Sequence, residues 1–156
     1  MTPREVVART IRFQGADRLP YALPDKYGND FGGVSMKPNV DRRPGSGIDE
    51  WGCEWANIGI SKLGEVRKFP LKDWADYPRL KIPDVRDPRR WEKAKGARER
   101  VGDKFMMSGG ISIYERVHFI RGLENTWTDI HQNTAELERL IDLLVDMNLH
   151  AVRQYA

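Results

Sequence analysis

Cysteine is nearly absent from this 156-residue sequence: Cys53 stands alone. That excludes an internal disulfide and any multi-cysteine metal site within the chain. A reducing compartment is the natural setting, so the chain reads as cytoplasmic. Long apolar runs are also missing, and none approaches the ~20 residues of a membrane span. Met1 to Gln14 carries neither the short apolar core nor the small-residue cleavage site of a secretory leader. Histidine occurs three times, and no two are spaced as metal ligands. Dinucleotide fingerprints, P-loops, nucleophile elbows and HExxH helices are all lacking.

What is present is charge and aromatic mass. Charged residues make up 31% of the chain and the mean hydropathy is -0.63, so the surface is large and polar. Five Trp, five Tyr and five Phe argue against a disordered polyelectrolyte and supply a core, though not a thick one. The net charge of +3 invites a nucleic-acid reading. From Arg86 to Lys104, however, acids interleave the bases throughout. That pattern describes a solvated face better than a phosphate track. No nucleic-acid partner and no membrane partner are expected.

The order of elements follows from caps and periodicity. Thr2-Pro3-Arg4-Glu5 is a capping box with Pro at the first helical position. Val6, Val7, Thr10, Ile11 and Phe13 give that helix an apolar side. Arg18 to Leu23 is a short strand candidate weakened by Pro20. Tyr27 to Ile48 reads as irregular, broken by five glycines and by Pro38 and Pro44. Ile48 to Phe69 alternates with period two and predicts a hairpin or β-excursion. Pro70 to Pro83 connects, with Trp74 and Tyr77 as anchors. Asp87 caps a helix running toward Val101 and ending at Gly102. Lys104 to Ile111 is the best strand, an apolar run suited to a buried parallel position. Ser112-Ile113-Tyr114-Glu115 is a second capping box whose helix runs to Arg121, interrupted by Gly122. A last amphipathic helix starts at Asn133-Thr134-Ala135-Glu136 and is still running at Ala156. The order predicts an α/β fold with parallel strands. An open parallel edge after the last helix makes the chain read as the front part of something larger.

Two places draw attention as sites. Ser108, Gly109 and Gly110 sit where a strand ends and a helix begins, the functional end of α/β folds. The glycines let backbone approach a ligand, and free N–H groups at the helix start favour a carboxylate or phosphate. The same residues also serve a simple tight turn with Ser112 as its cap. On the helix beyond, Arg116 can hold a carboxylate, and Tyr114 and His118 share a face, with His118 as a proton donor. Equally, Tyr114 and His118 pack with satisfied tips while Arg116 and Arg121 are solvated. The second place is Asp49-Glu50-Trp51-Gly52-Cys53. Neighbours on a strand face opposite ways, so at most one of Asp49 and Glu50 is catalytic. Cys53 between Trp51 and Trp55 reads as core. His131 and His150 read as incidental.

These segments, taken in order, resemble a known family. Thr2-Pro3-Arg4-Glu5 through Arg18-Leu19-Pro20 is similar to the opening of uroporphyrinogen decarboxylase-like proteins. Asp49 to Cys53, Gly64-Glu65-Val66, Pro70-Leu71, Ile82-Pro83-Asp84, Gly109-Gly110, Glu115-Arg116, Arg121 to Asn125 and Asp129 follow in that family's order. The resemblance implies the N-terminal half of a (β/α)8 TIM barrel with a long irregular or β excursion, spanning 1–156. Pro24 to Asn29 stands where true decarboxylases carry an arginine-rich segment, which favours the zinc- and corrinoid-linked methyltransferase branch. Tetrapyrrole decarboxylation is the alternative, and a non-catalytic half-barrel serving as an interaction module is another. The resemblance places Asp49 and His118 as catalytic residues, His118 standing at the decarboxylase tyrosine position. The pocket wall expected for that branch is Asp49, the Gly109-Gly110 loop, Tyr114 and His118, and the reading of the residues themselves adds Ser108 and Arg116 as substrate-binding candidates. No metal ligand is expected in this chain; zinc would be held in the C-terminal half. A small-molecule substrate and a corrinoid protein are the expected partners, with self-association through the open barrel edge. The chain alone is expected to be inactive.

Overall fold

Thr2 opens α1 (Pro3–Ile11) in the computed structural model, which describes residues 1–40, 43 and 45–156. The capping box forms: Thr2 Oγ1 accepts the Glu5 amide at 3.3 Å, and Glu5 accepts the Thr2 amide at 2.8 Å. Such a cap contributes about 1 kcal/mol. Val6 and Val7 on the inner face are buried, and Phe13 lies outside at positive φ. The chain is 43% helix and 14% strand, a mixed α/β fold of small sheets in which no barrel closes. It forms two compact units, Met1–Lys37 with Pro88–Gly110 and Gln154–Ala156, and Pro38–Asp87 with Ile111–Arg153.

The first unit is built on a parallel pair. β1 (Phe31–Val34) runs alongside β5 (Phe105–Ser108), in register from Phe31 opposite Phe105 to Val34 opposite Ser108. The two rings meet edge to face at 6.3 Å. β5 is the strand expected near Lys104 to Ile111, but Met107 and Ser108 are exposed rather than buried. β1 corrects the reading of Tyr27 to Ile48 as wholly irregular. Its sequence, Phe-Gly-Gly-Val, has no alternation to betray a strand, and only the remote partner makes it one. Gly32 is needed there, because a Cβ would stand 2.6 Å from Val101 Cγ1. Pro44, read as a break, lies outside the described residues.

Two further expectations change in this unit. The strand over Arg18 to Leu23 shrinks to one bridge, Ala22 to Asn29. What organises the segment is a charge pair, Arg18 gripping Asp30 with both nitrogens at 2.6 Å. The helix expected from Asp87 to Val101 is broken into a 3₁₀ turn, Pro88–Trp91, and α2 (Ala97–Val101). Gly96, left-handed at φ 64°, starts α2, which fits the thin apolar stripe of that segment.

The second unit carries the β-excursion as an antiparallel sheet of β2 (Gly47–Ile48), β3 (Glu54–Asn57) and β4 (Gly64–Lys68). Three helices follow: α3 (Ile113–Arg121), α4 (Leu123–Gln132) and α5 (Ala135–Tyr155). Gly122 at φ 83° separates α3 from α4, and Asn133 at φ 52° ends α4. The second capping box does not form, since the Ser112 hydroxyl makes no cap bond to α3. Leu137, Leu140, Leu144, Met147 and Ala151 put the inner stripe of α5 into the core. Trp51, Cys53, Leu71, Val117 and Ile120 are buried in the same unit.

Candidate functional site

Parallel strands end together, so β1 and β5 deliver their following loops to one rim of the first unit. After β5 the chain runs through Gly109 and Gly110, both exposed with Ser108. Neither glycine has positive φ, and a Cβ on Gly109 would meet nothing within 4 Å. Neither backbone angle nor, at Gly109, crowding within the chain requires a glycine. After β1 the chain borders a hollow of about 510 Å³ lined by Gly33, Val34, Ser35, Glu92, Lys93 and Arg100. Arg100 is folded over its own segment, donating to the carbonyls of Lys95 at 2.8 Å and of Lys93. The rim therefore offers cations, one carboxylate and open backbone.

In the second unit, Asp49 anchors a cluster on α3. It does not sit on a strand. The chain turns sharply from Asp49 to Cys53, with Gly52 donating to the Asp49 carbonyl at 3.0 Å. The carboxylate folds back over that turn. Oδ1 accepts the amides of Trp51 at 3.0 Å and Cys53 at 2.9 Å. Oδ2 accepts Trp55 Nε1 at 3.1 Å and Arg116 Nη1 at 2.9 Å. Burial pushes the Asp49 pKa up, but the hydrogen bonds from Trp55 and Arg116 outweigh it and hold the carboxyl below its ordinary value. Arg116 also lies 5.6 Å from the ring centres of Trp51 and Phe119. Its Nε is buried and makes no hydrogen bond.

Tyr114 and His118 share a face of α3 as their spacing predicts, rings 5.8 Å apart. The Tyr114 hydroxyl accepts Trp127 Nε1 at 2.9 Å. His118 packs on Phe119 at 4.3 Å, and its Nδ1 is buried without a partner. Burial lowers the His118 pKa, opposed in part by Glu115, so at neutral pH the imidazole is uncharged. Cys53 is fully buried and donates its thiol to the Phe119 carbonyl at 3.2 Å. Burial, reinforced by the Asp49 charge, pushes that thiol up to about 12. Of the sequence-selected residues, Asp49 and Arg116 thus make a direct pair, and Tyr114 and His118 another. Ser108, Gly109 and Gly110 belong to the first unit.

Sequence reading missed a second buried ion pair. Arg121, read as solvated, is 5% exposed and clamps Asp129 with Nε at 2.8 Å and Nη2 at 3.2 Å. Its Nη1 donates to the carbonyls of Leu71 and Lys72, and Trp74 Nε1 donates to Asp129 at 3.1 Å. The guanidinium lies 4.4 Å over the Trp74 ring. The signal available was Arg121 and Asp129 bracketing a glycine-interrupted helix, with a Trp in the preceding connector. Among the described residues, no three His, Cys, Asp or Glu side chains are grouped to hold a metal ion. Comparison with protein-family models, with curated proteins and with solved structures finds no match.

Proposed function

We propose that this chain supplies the first strand–helix units of a uroporphyrinogen decarboxylase-like (β/α)8 enzyme of the zinc- and corrinoid-linked methyltransferase branch. The observation that carries it is the parallel β1–β5 pair, whose two following loops form one rim with an open glycine loop and a polar hollow. In barrel enzymes the catalytic loops occupy that C-terminal rim. Backbone at Gly109, free of any need within the chain for a missing Cβ, is suited to lie against a small-molecule substrate. Absence of the arginine-rich segment at Pro24 to Asn29 favours methyl transfer over decarboxylation of a polycarboxylate.

In this reading Arg116 carries the positive charge of the second cluster and Asp49 positions it. A carboxylate already holding four donors below its ordinary pKa is a poor proton acceptor. Within the second unit by itself, His118, its pKa lowered by burial and its buried Nδ1 without a partner, is the group of that cluster suited to proton exchange. The described residues do not fit zinc: no cluster is grouped for it, and the Cys53 thiol is committed to the core. It is the resemblance to the methyltransferase branch that places the metal outside 1–156.

The test is to express the complete encoded reading frame containing this chain. Zinc is measured by elemental analysis, and methylcobalamin consumption is followed in the presence of a thiol. One zinc per chain and thiol-dependent loss of methylcobalamin are expected. A zinc-free protein, or one that decarboxylates a porphyrinogen without metal, overturns the proposal.

A further inference from the structure

The turn between α3 and α4 borders a hollow that the candidate site does not use. It measures about 500 Å³, and its lining residues all belong to the second unit. That volume lies in the range of small-molecule sites. α4 buries its polar side, Thr126 and Asp129, and turns Leu123, Trp127 and Ile130 outward. Leu123 therefore lines the hollow with an apolar side chain 41% exposed, joined by half-buried Phe69. Gly122 allows Phe69 to stand this close. Its φ of 83° favours glycine, and a Cβ there would come 3.3 Å from the Phe69 ring. Arg121 lines the hollow too, but its guanidinium is already committed to Asp129 and to the carbonyls of Leu71 and Lys72. It is a fixed wall and not a free cation.

Two free charges of opposite sign line the same hollow. Lys72 and Glu124 are both exposed, and among the described residues neither side chain pairs with the other or with any third group. The Lys72 backbone is anchored: its carbonyl accepts Arg121 Nη1 at 2.7 Å and Asn125 Nδ2 at 3.5 Å. Asn125 Nδ2 also donates to the Arg121 carbonyl at 3.1 Å, which leaves the Asn125 side-chain oxygen open as an acceptor. We propose that this hollow binds an α-amino acid with an apolar side chain. Lys72 takes the carboxylate, Glu124 and the Asn125 oxygen take the ammonium, and Phe69 and Leu123 take the side chain. A simple anion would bring a second negative charge beside Glu124, and a simple cation a second positive charge beside Lys72; a zwitterion does neither. A charge-assisted hydrogen bond at each end makes both charges of the ligand necessary. The hollow shares no lining residue with the Asp49–Arg116 pair or with Tyr114 and His118, and it does not depend on the enzyme reading.

Isothermal titration calorimetry of the full encoded chain tests it, with L-leucine as the probe. Saturable binding is expected. N-acetyl-L-leucine, which lacks the ammonium, and L-leucinamide, which lacks the carboxylate, should each bind about tenfold more weakly or not at all. Two variants divide the site. Glu124→Gln should abolish the discrimination against the N-acetyl compound, and Lys72→Met the discrimination against the amide. Both side chains are exposed, so unchanged circular dichroism is expected for each variant. L-leucine that fails to bind, blocked forms that bind as well as L-leucine, or variants that keep the native discrimination overturn the proposal. Zinc content and methylcobalamin turnover, read on the same samples, report separately on the proposed function.

Discussion

Asp49 shows how a short acidic residue becomes structural. Four donors converge on it, two of them amides of its own turn, and Arg116 completes the set. Asp49→Asn keeps the shape but presents an NH₂ to one of those donors and leaves Arg116 without its counter-charge. A loss of about 2–4 kcal/mol in urea unfolding is expected, in line with breaking one side of a mostly buried pair. A loss under 0.5 kcal/mol would show that the turn does not need the charge.

Asp30 makes a pH-dependent contribution. Its hydrogen bonds from Arg18 hold the carboxyl at about 2, against an ordinary value of 3.8. The folded state therefore keeps this group ionised where the unfolded chain protonates it. The stabilisation is complete above pH 3.8 and is lost as the pH falls toward 2. Asp30→Asn should flatten the acid limb of the stability profile in that window, and an unchanged limb would refute the assignment. Cys53 offers a third check. With its thiol buried and pushed up to about 12, it should resist thiol reagents at pH 8 in the native chain and react at once in denaturant. Rapid stoichiometric labelling of native protein would contradict the packing around Trp51.

Among the elements, α4 depends on its buried ion pair more than on its apolar residues. Asp129→Ala leaves the Arg121 guanidinium inside the unit with only two backbone carbonyls and the Trp74 ring. A cost of about 3–5 kcal/mol is expected by chemical denaturation. Retention of wild-type stability would mean that α4 is free to roll its apolar stripe inward.

This element also shows why sequence reading stopped where it did. The spacing of Leu123, Trp127 and Ile130 makes a helix legible, but periodicity marks the apolar face as inner, and here a charge network decides otherwise. β1 failed for the opposite reason. Phe31-Gly32-Gly33-Val34 has no local preference for a strand, and its partner is more than seventy residues away. The β-excursion and α5 were legible because each carries its pattern within one segment.

For the whole molecule, the division into two units has an energetic consequence. Asp30 belongs to the first unit with Arg18, and Asp129 to the second with Arg121 and Trp74. They share no partner, so Asp30→Asn and Asp129→Ala should destabilise additively within about 0.5 kcal/mol in a double-mutant cycle. A coupling above about 1 kcal/mol would show that the units respond as one. The candidate site divides the same way. Sequence placed Ser108 to Gly110 and Asp49 to His118 on one list, whereas the fold assigns them to different units.

The sequence by itself determined the helix starts at Thr2, the positions of α3 and α5, the antiparallel excursion and the burial of Cys53. Each follows from residues close together in the chain: a cap, a period or a run of aromatics. Only the tertiary structure decided that Phe31 to Val34 is a strand, that Arg121 is buried and that the apolar stripe of α4 faces outward. Those outcomes rest on hydrogen bonds and ion pairs between distant or differently oriented groups. Their energy exists only after folding brings the partners together.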